Sequence, residues 1–487
     1  MPLTKTKQKL EIIPPSASAF VGVARRDITP PVGIYARMWG AAKRDRSEGT
    51  HKPISTTALV IKRDKGEMPL VIVSIDLALL GDLGGGTDEE FIMKPVLESL
   101  GIDRRHIVVN CTHTHSAPWT ALSRSHLPGG DLLPAYQKHL GEAIREAARE
   151  ALVTAQRATF TWATGRCNLA ANRDLPDPDK PGKRIICGYN PDKPADDTVV
   201  VGRVTRDVDG SVLATLVNYA CHPTTLAWDN KLISPDFIGA MRDVIEANTG
   251  DAPCLFLQGA SGELAPAHDY VGDTAIADKH GRQLGYAAMS ALESMLPPRH
   301  KLTYRGVMES GAPLAVWLPE RFEPSKLVAA DGFDIPLPIK KMPSVARMEA
   351  DIAACKDRTL RERMFRKLQI VMTLGDSGTF AMPAWVWRLG DAIIVAHPNE
   401  EYSCFQQDLR APLTDFAVVV MNVTGPEPGY ITPPEMFKEN IYQVWQTPFD
   451  KPALGVLTKT CLSHAKKLAS IKKKSGNRQP QRHPPKI

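Results

Sequence analysis

The chain has 487 residues, 43% hydrophobic and 23% charged, with a formal net charge of +6. This is ordinary globular composition, with room for two or three packed domains or one large elaborated one. Much of the positive excess lies at the C-terminus, so no nucleic-acid surface is expected, and no apolar run is long enough for a membrane span.

The eight cysteines (111, 167, 187, 221, 254, 355, 404 and 461) are scattered without a C-x-x-C pair. Several sit in apolar runs, which suits buried free thiols better than a disulfide framework. Residues 1–7 carry charge but no apolar stretch of the kind a signal peptide needs, so a cytoplasmic location is expected.

In chain order, residues 1–18 form a polar lead-in, and a strand starts at 21–24. A turn-rich segment follows at 25–33. Residues 55–62 and 70–80 are apolar, β-branched runs and read as strands. The second contains Asp76, which reads equally as a hydrogen-bonded buried carboxylate or as a support for a metal ligand. A helix is expected over 88–100, ending at Gly101. The apolar strand 106–109 then runs into Thr112-His113-Thr114-His115-Ser116-Ala117-Pro118. Residues two apart in an extended chain face one side, so both imidazoles are expected in one cleft at a sheet end. Open α/β sheets bind ligands there, and imidazole is the commonest side-chain ligand for zinc. The bland reading is that the rings only hydrogen-bond in a polar turn. A long amphipathic helix covers 133–155, and the strand–helix alternation indicates an α/β layer architecture.

A strand over 158–167 leads to Asn172-Arg173-Asp174, where the local sequence favours a surface arginine over an anion-binding one. Residues 174–197 read as an exposed loop. Residues 198–206 and 211–220 form a hairpin across Asp209-Gly210, and its second strand ends in Cys221-His222-Pro223. Helices are expected over 237–248 and 273–295, with a strand and Gly-rich loop over 254–266 between them; the spacing of a phosphate loop is absent. Residues 300–342 mix strands and turns, and the charges of a helical stretch over 345–373 read as a solvated face. A second hairpin, 385–389 with 391–396, ends in His397-Pro398-Asn399-Glu400-Glu401. The last clear strand, 416–423, leads to Gly429-Tyr430-Ile431-Thr432, and a short helix over 434–443 carries Tyr442. From Lys459 the chain is basic without acids and reads as a frayed helix and disordered tail.

Three separated strand ends thus offer His113, His115, His222 and Glu400 or Glu401. Zinc hydrolases use that donor composition, but ligands this far apart cannot be paired by spacing, so a zinc site and unconnected polar turns both stay open here. The expected fold is α/β, a mixed sheet core with flanking helices and the candidate site at strand ends.

The order of motifs resembles the neutral/alkaline (non-lysosomal) ceramidase family. The matches are the T-H-T-H-S-A-P block at 112–118, Asn172-Arg173, Asn218 to Pro223, Pro398-Asn399-Glu400, and Gly429 to Thr432 with Tyr442. They run in order over roughly residues 20–450. The resemblance implies a catalytic domain over 19–457, between the lead-in and a basic tail at 458–487. It implies zinc held by His113, His222, Glu400 and Tyr430, with Glu400 preferred to Glu401. It also implies catalytic groups at His115, Arg173 and Tyr442, and zinc-assisted hydrolysis of the amide bond of a small N-acyl or lipid-like substrate. Three features depart from the family: Ala117 stands where it usually has glycine, the chain stops soon after Tyr442, without its immunoglobulin-like C-terminal domain, and no secretion signal is seen, although ceramidases of this type act outside the cell or at membranes. These leave the hydrolase chemistry intact and put ceramide itself in question. A zinc esterase or lactonase on the same site, or a non-enzymatic ligand-binding protein of the same fold, are the alternative readings.

Overall fold

The structure, a computed structural model, describes residues 10–81, 87–375 and 377–471. Its centre is an eight-stranded mixed sheet made of two halves with the same connectivity. The first half is β1 (Ser16–Asp27), β2 (Ser55–Lys62), β3 (Leu70–Ile75), helix α1 (Thr87–Leu100), β4 (Ile107–Cys111) and helix α2 (Leu133–Val153). The second is β5 (Gln156–Arg166), β6 (Thr198–Arg206), β7 (Val212–Tyr219), helix α3 (Phe237–Ala247), β8 (Cys254–Gln258) and helix α4 (Thr274–Glu293). The strand order is β8-β7-β6-β5-β1-β2-β3-β4. In each half two antiparallel pairings are followed by one parallel pairing across a helix.

The parallel strands are buried on both faces. Every residue of β3 and β4 is buried. Neighbours along a strand alternate between two cores, since successive side chains point to opposite faces. Ala58 and Val60 pack with α1 and α2, whereas Leu59 and Ile61 pack inward. The inner core is shared with a second, four-stranded sheet: β9 (Val328–Pro338), β10 (Thr379–Leu389), β11 (Ala392–Ala396) and β13 (Ala417–Met421). Trp385, Trp387, Ile394 and Val419 of that sheet meet Phe160, Leu216 and Leu257 of the first. Helix α7 (Ala453–Ala469) covers the other face of the small sheet. The layers are therefore helices, large sheet, small sheet and helix. This is the α/β class expected; the second sheet is what the sequence reading did not separate.

Close approaches explain two glycines. A Cβ at Gly22 would lie 1.8 Å from the Ala151 carbonyl oxygen, so β1 can cross α2 only without a side chain. A Cβ at Gly281 would meet the Phe237 carbonyl oxygen at 2.1 Å, which lets α4 pack tightly on α3. Helix α3 starts at Asp236, whose carboxylate accepts from the Phe237 N–H at 2.7 Å.

Several boundaries differ from the sequence reading. A two-residue strand at Glu11–Ile12 and the start of β1 at Ser16 both fall inside the lead-in read as 1–18. Asp76 lies just past β3 rather than within a strand. The expected helix over 434–443 is two pieces, a 3₁₀ turn at Pro434–Lys438 and helix α6 at Tyr442–Gln446, which Tyr442 opens. The basic tail is helical through Ala469, and residues 472–487 lie outside those described. All eight cysteines are unpaired, as expected. Among the described residues no helix is long and apolar enough to cross a membrane.

Asp76 is a structural anchor. It accepts from Arg242 Nη1 and Nη2 at 2.6 and 2.8 Å, from the Ser55 N–H at 2.8 Å and from Thr112 Oγ1 at 3.1 Å. Among the described residues it hydrogen-bonds no imidazole. Arg242→Ala leaves this buried carboxylate unpaired and is expected to cost about 3–5 kcal/mol in chemical denaturation. A loss below about 1 kcal/mol would show that the pair does not hold β3 to α3.

Candidate metal centre

Each donor comes from a strand end where the two sheets meet. Side-chain amides hold these ends together. Asn218 of β7 donates to the Val420 carbonyl at 2.7 Å, and Asn110 of β4 donates to the Asn422 carbonyl at 2.6 Å. Asn110 also accepts from the Gln258 N–H at 2.8 Å.

His113 follows β4 with φ of 70°, in the left-handed region. A non-glycine residue there is strained, and such strain concentrates at functional sites. Both motif histidines line one cleft, as expected, but they do so because the chain kinks at His113 and not because it alternates. The kink brings His113 Nε2 and His115 Nε2 to 3.5 Å. His222 follows β7, and its ring centroid is 4.9 Å from that of His113. The ring nitrogens of His113, His115 and His222 lie within 4.8 Å of one another, a group able to hold a metal ion.

Glu400 enters from the small sheet. It opens the short strand β12 (Glu400–Glu401), which pairs in parallel with β14 (Tyr430–Ile431), so that Glu400 and Tyr430 stand side by side. Glu400 Oε2 is 2.7 Å from His222 Nε2 and 3.4 Å from His113 Nε2. Glu401 points elsewhere, into a buried contact with His397 Nδ1. Arg173 is buried, against the local expectation of a surface arginine. Its Nη2 lies 2.8 Å from the Gly262 carbonyl, 3.2 Å from Tyr430 Oη and 3.2 Å from His222 Nε2. Tyr442 lines the same cleft, its ring centroid 5.8 Å from that of Tyr430. Its phenol oxygen accepts from Gln446 Nε2 at 2.9 Å, which leaves its own proton to donate.

The donor chemistry fits a cation. His113 Nδ1 faces the Ala78 carbonyl at 2.8 Å, and His222 Nδ1 faces the Ser261 carbonyl at 2.8 Å. Those carbonyls require Nδ1–H, which leaves both Nε2 lone pairs facing the Glu400 side of the site. Burial, then Arg173, lowers His222 to about 4, so its ring is neutral at pH 7. Burial pushes the Glu400 carboxyl up, but His113 and His222 outweigh it and hold it well below the usual carboxylate range. Two lone pairs and an ionised carboxylate thus converge, an arrangement a bound cation relieves. Burial, followed by the other two rings, presses His115 well below the ordinary histidine range. Burial, then Glu400, raises the Tyr430 phenol.

The cleft over these groups has a volume of about 390 Å³, within the range of small-molecule sites. One wall is aromatic: Trp39 sits 5.3 Å from His115, 6.0 Å from Trp228 and 5.7 Å from Tyr270, centroid to centroid. Sequence reasoning missed these residues, which stand singly in loops. In a chain with 6% aromatic residues, such a concentration at one cleft becomes legible only after folding. Glu427 also lines the cleft and was missed; burial, then the neighbouring Glu400, raises its carboxyl well above the usual range.

Fold and site resemble those of the neutral/alkaline non-lysosomal ceramidases. Residues 20–261 match the family described as neutral/alkaline non-lysosomal ceramidase, N-terminal. The match takes in the eight-stranded sheet with His113, His115, Arg173 and His222; Glu400, Tyr430 and Tyr442 lie beyond it. Among solved structures, the chain is similar to one titled "Ceramidase complexed with C2", at 14% identity and a TM-score of 0.67, over 96% of this chain and 77% of that one. It is also similar to the neutral ceramidase from Pseudomonas aeruginosa, at 15% identity and a TM-score of 0.66, over 93% and 74% of the two chains. No curated protein matches by sequence.

Proposed function

We propose that the protein is a zinc-dependent amidohydrolase that cleaves the amide bond of an N-acyl, lipid-like substrate. The observation that carries this reading is the convergence of His113, His222, Glu400 and Tyr430 from separate strand ends on one cleft. Those four residues would hold the ion. When bound, zinc supplies a Lewis acid for a carbonyl oxygen and lowers the pKa of water from about 15.7 toward 7.

The chain's own groups do the rest. The Ala78 and Ser261 carbonyls fix the imidazole tautomers. Arg173 restrains Tyr430 and His222 through one nitrogen and leaves other donors for a polar group of the substrate. The free phenol proton of Tyr442 suits donation to an oxyanion. The aromatic wall excludes water and accepts apolar chain.

The test is metal content. Protein purified without chelator and supplied with zinc is expected to hold about one equivalent, from a single four-ligand site. Less than about a tenth of an equivalent would overturn the reading. Glu400→Gln is expected to lose most of that zinc, because a neutral amide binds it far less well than a carboxylate. Glu401→Gln, facing His397, should keep it. The reverse result would move the ligand role to Glu401.

A further inference from the structure

We propose that the substrate carries an anionic group, gripped by Arg363 and Arg366 at the wall of the cleft; the proposal rests on the amidohydrolase reading of the same site. The wall is helix α5 (Arg358–Leu374), which contributes Glu362, Arg363 and Arg366 to the cleft lining. Residues 363 and 366 are three apart and so share a helix face. This is not the plain solvated face that the charge pattern suggested.

Each guanidinium is positioned by stacking. Arg366 lies 4.4 Å from the centroid of Trp119, whose ring Arg124 also approaches at 4.4 Å. Arg363 lies 5.2 Å from Trp445 and 6.0 Å from Tyr442. Stacking fixes the plane of a guanidinium while leaving its N–H donors unspent. Among the described residues neither arginine makes a hydrogen bond or ion pair with a protein group. The acid beside them in sequence, Glu362, is already paired with Arg124.

The charge balance agrees. Arg37 is held by Asp45 at 3.6 Å, and Glu362 by Arg124. What remains in the lining is Arg173, Arg363 and Arg366 against Glu400 and Glu427, three guanidiniums to two carboxyls before any cation is added. A planar fork of donors matches a carboxylate in two-point contact. The substrate class is thus an N-acyl compound with a carboxylate near the amide nitrogen, as in an N-acyl amino acid, in place of a neutral headgroup.

The experiment compares N-octanoylglycine with N-octanoylglycinamide, which differ only in that charge. Calorimetric binding to metal-free protein removes any contribution from the carboxylate meeting the ion. The acid is expected to bind at least about tenfold tighter, and the ratio to fall to about one in Arg363→Gln/Arg366→Gln. Because the ratio is taken within one protein, misfolding would abolish both affinities and not the ratio alone. Arg363→Gln, at an exposed position, gives a second variant with an intermediate ratio. Equal binding by the wild type, or a preference that persists in the double variant, overturns the proposal. Hydrolysis by zinc-loaded enzyme is read separately. Anion preference in binding without hydrolysis of either compound would overturn the amidohydrolase reading and leave the anion grip standing.

Discussion

His113→Ala is expected to lose both zinc and activity, while His115→Ala keeps most of the zinc and loses activity. Both rings face the cleft, but only His113 lies within 3.4 Å of the Glu400 carboxylate. His113 is also closer to His222, at 4.9 Å between centroids against 6.2 Å for His115. Removing a residue that merely supports a ligand costs about 10–100-fold in metal affinity, so loss of a direct ligand should exceed that range. The strained backbone calls for a control. His113→Asn tolerates the left-handed conformation better than alanine, so zinc loss in both variants assigns the effect to the missing ligand. If His113→Ala and His115→Ala lose zinc equally, the three clustered histidines hold the ion together.

Tyr442→Phe is expected to lower kcat by about 10²–10³-fold with little change in KM, as for a donor acting only in the transition state. The substitution removes a hydroxyl and almost no volume. Tyr442 is half-buried, its ring lies against Tyr430, and its hydroxyl has no protein acceptor for its proton among the described residues. Fold and zinc content should survive. A wild-type kcat on any N-acyl substrate that is turned over would make Tyr442 a packing residue and leave His115 as the nearby donor.

Much of the candidate site was legible because its residues stand at strand ends, which hydrophobic runs mark clearly. His113 after β4, His222 after β7 and Glu400 after β11 follow that rule. Their convergence was not readable, because it depends on two sheets meeting through Asn110 and Asn218, and sequence separation carries no record of that. Arg173 misled for the same reason. A loop beside charged residues looks solvent-facing until the Gly262 carbonyl and Tyr430 close over it. Asp76 was ambiguous because its partner, Arg242, lies 166 residues away. The arginines of α5 were lost in a charge-rich helix, whose pattern does not distinguish a face toward water from one toward a cleft.

The strand ends that supply the donors have a consequence for the unfolded chain. An ion bound by His113, His222 and Glu400 would close two long loops, 222 − 113 = 109 and 400 − 222 = 178 residues, and join the two sheets at one point. The unfolded ensemble offers no such site, so binding favours only the native state, by about 4 kcal/mol when free ion is a thousandfold above its Kd. That is a large share of a typical stability of roughly 5–15 kcal/mol. Ion supply would then set how much of the protein escapes proteolysis as well as how fast it turns over, and scarcity would be read as abundance before it is read as rate.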